Sequence, residues 1–221
     1  WSFGGDESFT GASSIGAPRK IGEKEYSGGE HAEYSGPPQP KATTRCRIVS
    51  EHGWADLVGP TVCRTLTPDE VAVVRGKLGP DPLNADADPG QFYRAAAKSS
   101  RPIGVILMDQ AAISGVGNIF RAESLYRQKI DPLRPGKTLS DDELRRLWDD
   151  NKHLLTIGVR VGRIITTEQQ DRPGIPETEA WPDHANYVYM RHGQKCPRCS
   201  ATIRMEEIAG RKLYWCPGCQ K

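Results

Sequence analysis

The sequence lacks any run approaching eighteen apolar residues, which excludes a membrane-spanning helix. It also lacks an apolar stretch behind a basic start, so no secretory signal is expected. No segment repeats, so a solenoid is excluded. There is little net charge, +2 over 221 residues, and the hydrophobic fraction of 37% is enough for globular cores but too low for a membrane protein. No Met opens the chain; Trp1 does, and a fragment or processed product is expected. Only two cysteines, Cys46 and Cys63, lie outside one C-terminal cluster. Without a secretory signal these two are expected as reduced thiols.

What charge there is falls in blocks. Residues 1–90 hold nine Lys/Arg against thirteen Asp/Glu, and residues 91–165 hold thirteen against eight. Residues 166–184 hold one against five, and residues 185–221 hold seven against two. Two basic blocks between acidic stretches suggest a local anion-binding surface; ordinary solvated faces would give the same count.

Residues 1–45 are rich in Gly, Ser and Pro and read as loops between short strands. Apolar and polar residues alternate around His52-Gly53, predicting a β-hairpin over 44–50 and 54–58. "TPDEVAVVRGKL" predicts a short helix with Thr67 as cap and Pro68 at its first position. "GPDPLNADADPG" reads as a linker and sets the boundary between 1–84 and 85–184, and the cysteine-bearing end, 185–221, is read as a third part. The middle part reads as helices: "QFYRAAAKSS", a more apolar "PIGVILMDQAAI", "NIFRAESLYRQKI", and one opened by a Ser140–Glu143 capping box and reaching about Val161.

The cluster at the end carries the sharpest chemistry. Cys196-x-x-Cys199 and Cys216-x-x-Cys219 each bend two thiolates toward one ion, and four sulfurs in a tetrahedron suit one structural Zn²⁺. Two disulfides or an iron–sulfur site are the rival readings. His192 is left as a surface residue because four cysteines already close the site. Between the pairs, "TIRMEEI" and "KLYWC" predict two strands joined at Ala209-Gly210-Arg211, so a metal-stiffened tip projects the Arg211 guanidinium, whose fork suits a phosphate. A solvated surface arginine fits the same geometry. Earlier in the chain, Gly115-Val-Gly117-Asn118 breaks one helix and starts another. Free N–H groups there, the Asn118 amide and the charge of Arg121 form a candidate anion site, while a glycine break kept for packing is the alternative.

"LMDQAAISGVGNIFRAESLYRQKIDPLRP" resembles the helix–two-turn–helix segment of the Fpg/Nei DNA glycosylases, and "GRKLYWCPGCQ" resembles their C-terminal zinc finger. "LGPDPL" and "GPTVC" resemble their inter-domain stretch, and "WSFGGDESFTGASSIGAPR" part of their N-terminal β-domain. The similarity covers most of residues 45–221 and is closest to the actinobacterial endonuclease VIII branch. It implies an α+β chain with a partial N-terminal β-sandwich, a helix–two-turn–helix domain and a β-hairpin zinc finger. It implies base-excision repair by a monomeric, cytoplasmic, nucleoid-associated bacterial enzyme acting on double-stranded damaged DNA. Such an enzyme removes an oxidised base and cuts the backbone by β,δ-elimination. By the same resemblance Cys196, Cys199, Cys216 and Cys219 hold zinc, and Asn118 holds phosphates beside the lesion; Gly117 and Arg121 join the DNA-binding candidates from their place at the glycine break. Arg211 contacts phosphate and assists elimination as a catalytic residue. Lys77 falls where the family usually has a phosphate-binding arginine, keeping the charge without the fork. The family's nucleophile is an N-terminal Pro followed by Glu, and neither is found at Trp1-Ser2-Phe3. Roughly the first seventy residues of a typical member are therefore expected to be missing, leaving this chain alone inactive. A non-catalytic module for damaged DNA and a zinc-ribbon protein adaptor are the competing readings.

Overall fold

The computed structural model describes residues 2–5 and 36–221. The loops and strands expected over 6–35 lie outside the described residues. The chain divides into two compact units, Trp1–Asp69 and Glu70–Lys221.

The first unit holds a three-stranded antiparallel sheet in the order β1 (Ser2–Gly5), β3 (Gly53–Val58), β2 (Thr44–Val49). The expected hairpin is β2–β3. Its turn is held by Ser50, whose Oγ accepts from the N–H groups of His52 and Gly53. Across the strands Arg47 clamps the buried Asp56 with two hydrogen bonds of 2.6 and 2.7 Å. That fork, Asp56's main stabilising partner, holds its carboxyl below the usual range. Helix α1 (Pro68–Arg75), which runs across the division at Asp69, starts on its proline as expected and buries none of its residues.

The second unit is helical with a hairpin at its end. Helix α2 (Gly90–Ala97) turns Phe92 and Ala96 inward. The predicted long helix over "PIGVILMDQAAI" does not form. Only α3 (Ile103–Ile106) is helical. Asp109 is the reason: its side chain accepts from Ala111 N–H at 3.1 Å and its carbonyl from Ala112 and Ile113, which closes a turn in place of a continuing helix. Gln110 then staples the next turn, accepting from Gly115 N–H and donating to Val116 O. The apolar residues of the segment are buried all the same, with Ile103, Ile106, Leu107 and Ile113 in the core. Helix α4 (Asn118–Arg127) follows the glycine break, and α5 (Asp141–Val161) is capped by Ser140 and Glu143 and stopped by Gly162 in the left-handed region (φ +71°). The last strands, β4 (Arg204–Ile208) and β5 (Arg211–Trp215), pair antiparallel. Cys196, Ile203, Tyr214 and Cys216 join the same core as Phe92, Leu125, Tyr126 and Leu147, so the hairpin is anchored to the helices.

The α5 cap is a local stability switch. Arg134 donates to both Glu143 oxygens, at 2.7 and 3.1 Å, while Glu143 accepts from Ser140 N–H at 2.8 Å. The guanidinium contributes most to pulling the Glu143 carboxyl down to about 2. A depressed carboxyl stabilises the fold above its unfolded value and loses that contribution as pH falls toward its folded value. The Glu143→Gln variant is therefore expected to show a shallower loss of thermal stability between pH 4.5 and pH 2 than the parent. Ser140→Ala is expected to cost about 1 kcal/mol, a drop of roughly 2–4 °C in melting temperature at pH 7. Calorimetric scans across that pH range measure both.

Candidate metal centre and nucleic-acid interface

The four cysteines of the terminal segment bring their sulfurs within 4.8 Å of one another. Cys196 and Cys219 Sγ lie 3.8 Å apart, and Cys199 and Cys216 Sγ 3.3 Å. A tetrahedral Zn²⁺ with ordinary Zn–S bonds spaces its sulfurs by about 3.8 Å, so the cage fits that ion. Burial, reinforced by the neighbouring sulfurs, pushes the Cys216 and Cys219 thiols up. Burial also opposes ionisation of Cys196, but hydrogen bonds from Tyr126 and from the N–H groups of Arg198 and Cys199 outweigh it and bring that thiol down. Four thiolates this close are stable only around a cation. Gly218 makes the close approach possible, since a Cβ there would stand 2.8 Å from Cys199 Sγ. His192 is exposed, as expected.

Two side chains with no signal in the sequence, one on α4 and one within the cage, join the helical core to the cysteines. Tyr126 Oη lies 3.2 Å from Cys196 Sγ. Arg198, inside the first Cys-x-x-Cys, stands over the Tyr187 ring at 4.6 Å and the Tyr126 ring at 5.5 Å, and donates to Asp171 at 2.7 Å. A third missed residue is Glu123. Fully buried, it accepts from the successive N–H groups of Tyr187, Val188 and Tyr189 at 2.7–2.8 Å and from Thr166 Oγ1 at 2.6 Å. Burial raises its pKa while those four donors oppose the rise. It nails the segment entering the cysteine cage onto α4. Only its place in the motif "NIFRAE" hinted at a role.

The hairpin tip is a two-residue turn, Ala209-Gly210, with φ of +51° and +73° and Ile208 paired to Arg211. Both positive angles match the turn type that suits the strand twist, and Gly210 adopts its angle freely. Arg211 is exposed as the first residue of β5. The next residue turns its carbonyl to α4: Lys212 O accepts from Asn118 Nδ2 at 3.0 Å and from Arg121 Nη2 at 3.0 Å. The glycine break and the finger, 94 residues apart in sequence, thus meet at one carbonyl.

Arg121 lies otherwise than a charge offered to a ligand would. It is 1% exposed; its terminal nitrogens bond only uncharged acceptors, Lys212 O, Asn118 Oδ1, and Gly104 O at 3.4 Å, while its buried Nε finds no partner. Burial first, and then the charge of Arg211, pull its pKa down to about 10. A cavity of about 260 Å³ opens beside it beneath the tip, bordered by Arg101, Met108, Asp109, Ile208 and Arg211. Arg101 is held by Asp109 at 2.9 Å. Gly117 precedes α4 in extended backbone without a side-chain cap, leaving the first N–H groups of the helix for other acceptors. Lys77 is exposed two residues before Gly79, whose N–H donates to Gln110 O at 2.8 Å; a Cβ at Gly79 would clash with Ala111 O at 2.7 Å. Lys77 is thereby tied to the loop that leads into the glycine break.

Removing the metal is expected to release the finger before the helices. Metal analysis should give one zinc per chain. After chelation, or in Cys216→Ser, amide exchange over 204–215 should accelerate at least about a hundredfold while α5 amides keep their protection, because the hairpin's rigidity is metal-binding free energy.

Residues 78–170 match the family described as the formamidopyrimidine-DNA glycosylase H2TH domain, and residues 193–221 match the zinc finger found in FPG and IleRS. Endonuclease 8 1 of Mycobacterium tuberculosis is 43% identical over 184 residues, covering 83% of this chain and 68% of that protein. The formamidopyrimidine-DNA glycosylase of Thermus thermophilus is 38% identical over 150 residues, 65% of this chain and 54% of that one. Among solved structures, the MutM (Fpg) protein of Thermus thermophilus superposes with a TM-score of 0.62 at 30% identity, covering 84% of this chain and 71% of that chain. Lactococcus lactis Fpg in complex with abasic-site DNA gives 0.56 at 26% identity, covering 76% and 59%. The chain thus spans little more than half the length of several relatives it matches.

Proposed function

The chain belongs to the Fpg/Nei family of DNA glycosylases, and on that premise we propose that its second unit grips the backbone of damaged duplex DNA during base-excision repair. The meeting of Asn118 and the finger at Lys212 O carries this reading. It sets an exposed guanidinium one residue from a carbonyl that is fixed to the start of a helix. Helix start, amide and guanidinium all favour an anion, and a phosphate accepts from each.

A base inside a duplex must be swung out before it can be cut, at a cost of a few kcal/mol. Contacts to the phosphates around the lesion offset that cost and make binding salt-dependent. In this reading Asn118 and the Gly117–Asn118 N–H groups hold one phosphate, Lys77 adds a charge nearby, and Arg211 holds another. The proposed activity is removal of an oxidised base followed by strand cleavage through β,δ-elimination. Arg211, beside the departing phosphate, would neutralise the charge that develops there. The zinc supplies rigidity and takes no chemical part.

Binding to an abasic-site duplex, followed over a range of salt, tests the grip. Arg211→Ala is expected to weaken binding about tenfold and to reduce the slope of log K against log salt by about 0.9, one phosphate contact. Asn118→Ala is expected to weaken binding with no change in slope, since a neutral amide displaces no counterion. Unchanged affinity in both variants would overturn the reading.

A further inference from the structure

Arg121 is a buried cation whose acceptors, among the described residues, are all uncharged. Keeping a guanidinium dry without a carboxylate is costly, so its position calls for a reason. As a phosphate ligand it is poorly placed: it is 1% exposed, Nη2 is committed to two acceptors and Nη1 to one, and only an edge of the group borders the cavity beneath the tip. Its bonds describe another task. One nitrogen, Nη2, joins Asn118 Oδ1 to Lys212 O, and Nη1 reaches Gly104 O in α3. Three separate pieces converge on one side chain: the segment before the glycine break, the first residue of α4, and the strand that begins with Arg211. The bond to Oδ1 also sets which way the Asn118 amide faces. With its oxygen held by Arg121, the nitrogen is the end presented to Lys212 O and to anything beyond it.

We infer that Arg121 is a positioning residue, a clip that fixes the spacing of Arg211 and the orientation of the Asn118 amide, and that it makes no phosphate contact itself. This rests on the DNA-gripping reading for its functional consequence, but the mechanical part stands apart from it. A guanidinium suits the task because a planar fork can serve several carbonyls in fixed directions. An ammonium has three donors clustered on one atom and a shorter overall reach, so it cannot span the same set of carbonyls in fixed directions.

The experiment uses the zinc-loaded 221-residue chain and three variants, Arg121→Met, Arg121→Lys and Arg211→Met. Two readouts are taken well below every melting temperature: amide exchange across 204–215, and salt-dependent binding to an abasic-site duplex. Arg121→Met is expected to retain one zinc, to speed exchange at Leu213 and its neighbours about tenfold, and to weaken binding about tenfold at an unaltered salt slope. Arg121→Lys should fall between Met and the parent in both readouts. If the Met variant does not fold, the Lys variant alone carries the test. Combined with Asn118→Ala, the effect on binding should be clearly less than additive, an outcome that general loss of stability would not produce. A fall in salt slope for Arg121→Met equal to that for Arg211→Met would make Arg121 a phosphate ligand and overturn the inference. So would parent-like exchange in both Arg121 variants. Should Arg211→Met bind like the parent while the Arg121 variants loosen the hairpin, the DNA-gripping reading falls and the clip remains.

Discussion

Four sulfurs confined within 4.8 Å are the constraint on which the working end of this protein depends. As thiolates they repel, as thiols they leave the hairpin without a fastening, and only a shared cation resolves the conflict. Strands β4 and β5 are five residues each and bury little beyond Leu213, Tyr214 and Trp215. Such a hairpin is marginal on its own. The ion gives it a base, and the base is bonded to the helical core through Tyr126 and Arg198.

The second half shows an uneven handling of charge. Carboxylates and guanidinium groups are taken out of water at several points, each time with a different settlement. Arg127 is answered by Asp150 at 2.8 Å. Glu123 is answered by three consecutive backbone N–H groups and a hydroxyl, so no cation is required. Arg121 is answered by uncharged oxygens alone. Each uses a buried charge to bond chain segments distant in sequence. Apolar contacts resist sliding far less than directional bonds to a charge do, and the finger must be held in register with α4 rather than merely nearby.

Much of this was legible in the sequence, and the failures have physical causes. The Cys-x-x-Cys pairs, the hairpin between them, the Ser140–Glu143 cap and the β2–β3 hairpin each rest on local rules, and each lies within a residue or two of where those rules put it, Arg211 falling in β5 and not in the turn. The apolar run from Ile103 to Ile113 was misread as one helix because its periodicity is genuine while the Asp109 side chain competes for the backbone. Asn118 was flagged by its glycines, but that it meets Lys212 could not be read, because a backbone carbonyl leaves no trace in residue type. Arg121 reads from its charge as part of an anion site, and its burial against the finger leaves no local trace. Nothing local distinguishes an arginine facing solvent from one folded under a hairpin; only the partner element, 91 residues on, decides it.

The hairpin tip is usually where a chain best tolerates an extra residue. Here it does not have that liberty. Side chains along a strand alternate between two faces, so a residue added to Ala209-Gly210 that slid β5 by one position, and was not taken up in a wider loop, would turn each following side chain over. The arginine would swing to the far face, and the carbonyl now seated against α4 would be replaced by a neighbour pointing away. A loop two residues long has become the ruler for a distance measured across the whole unit.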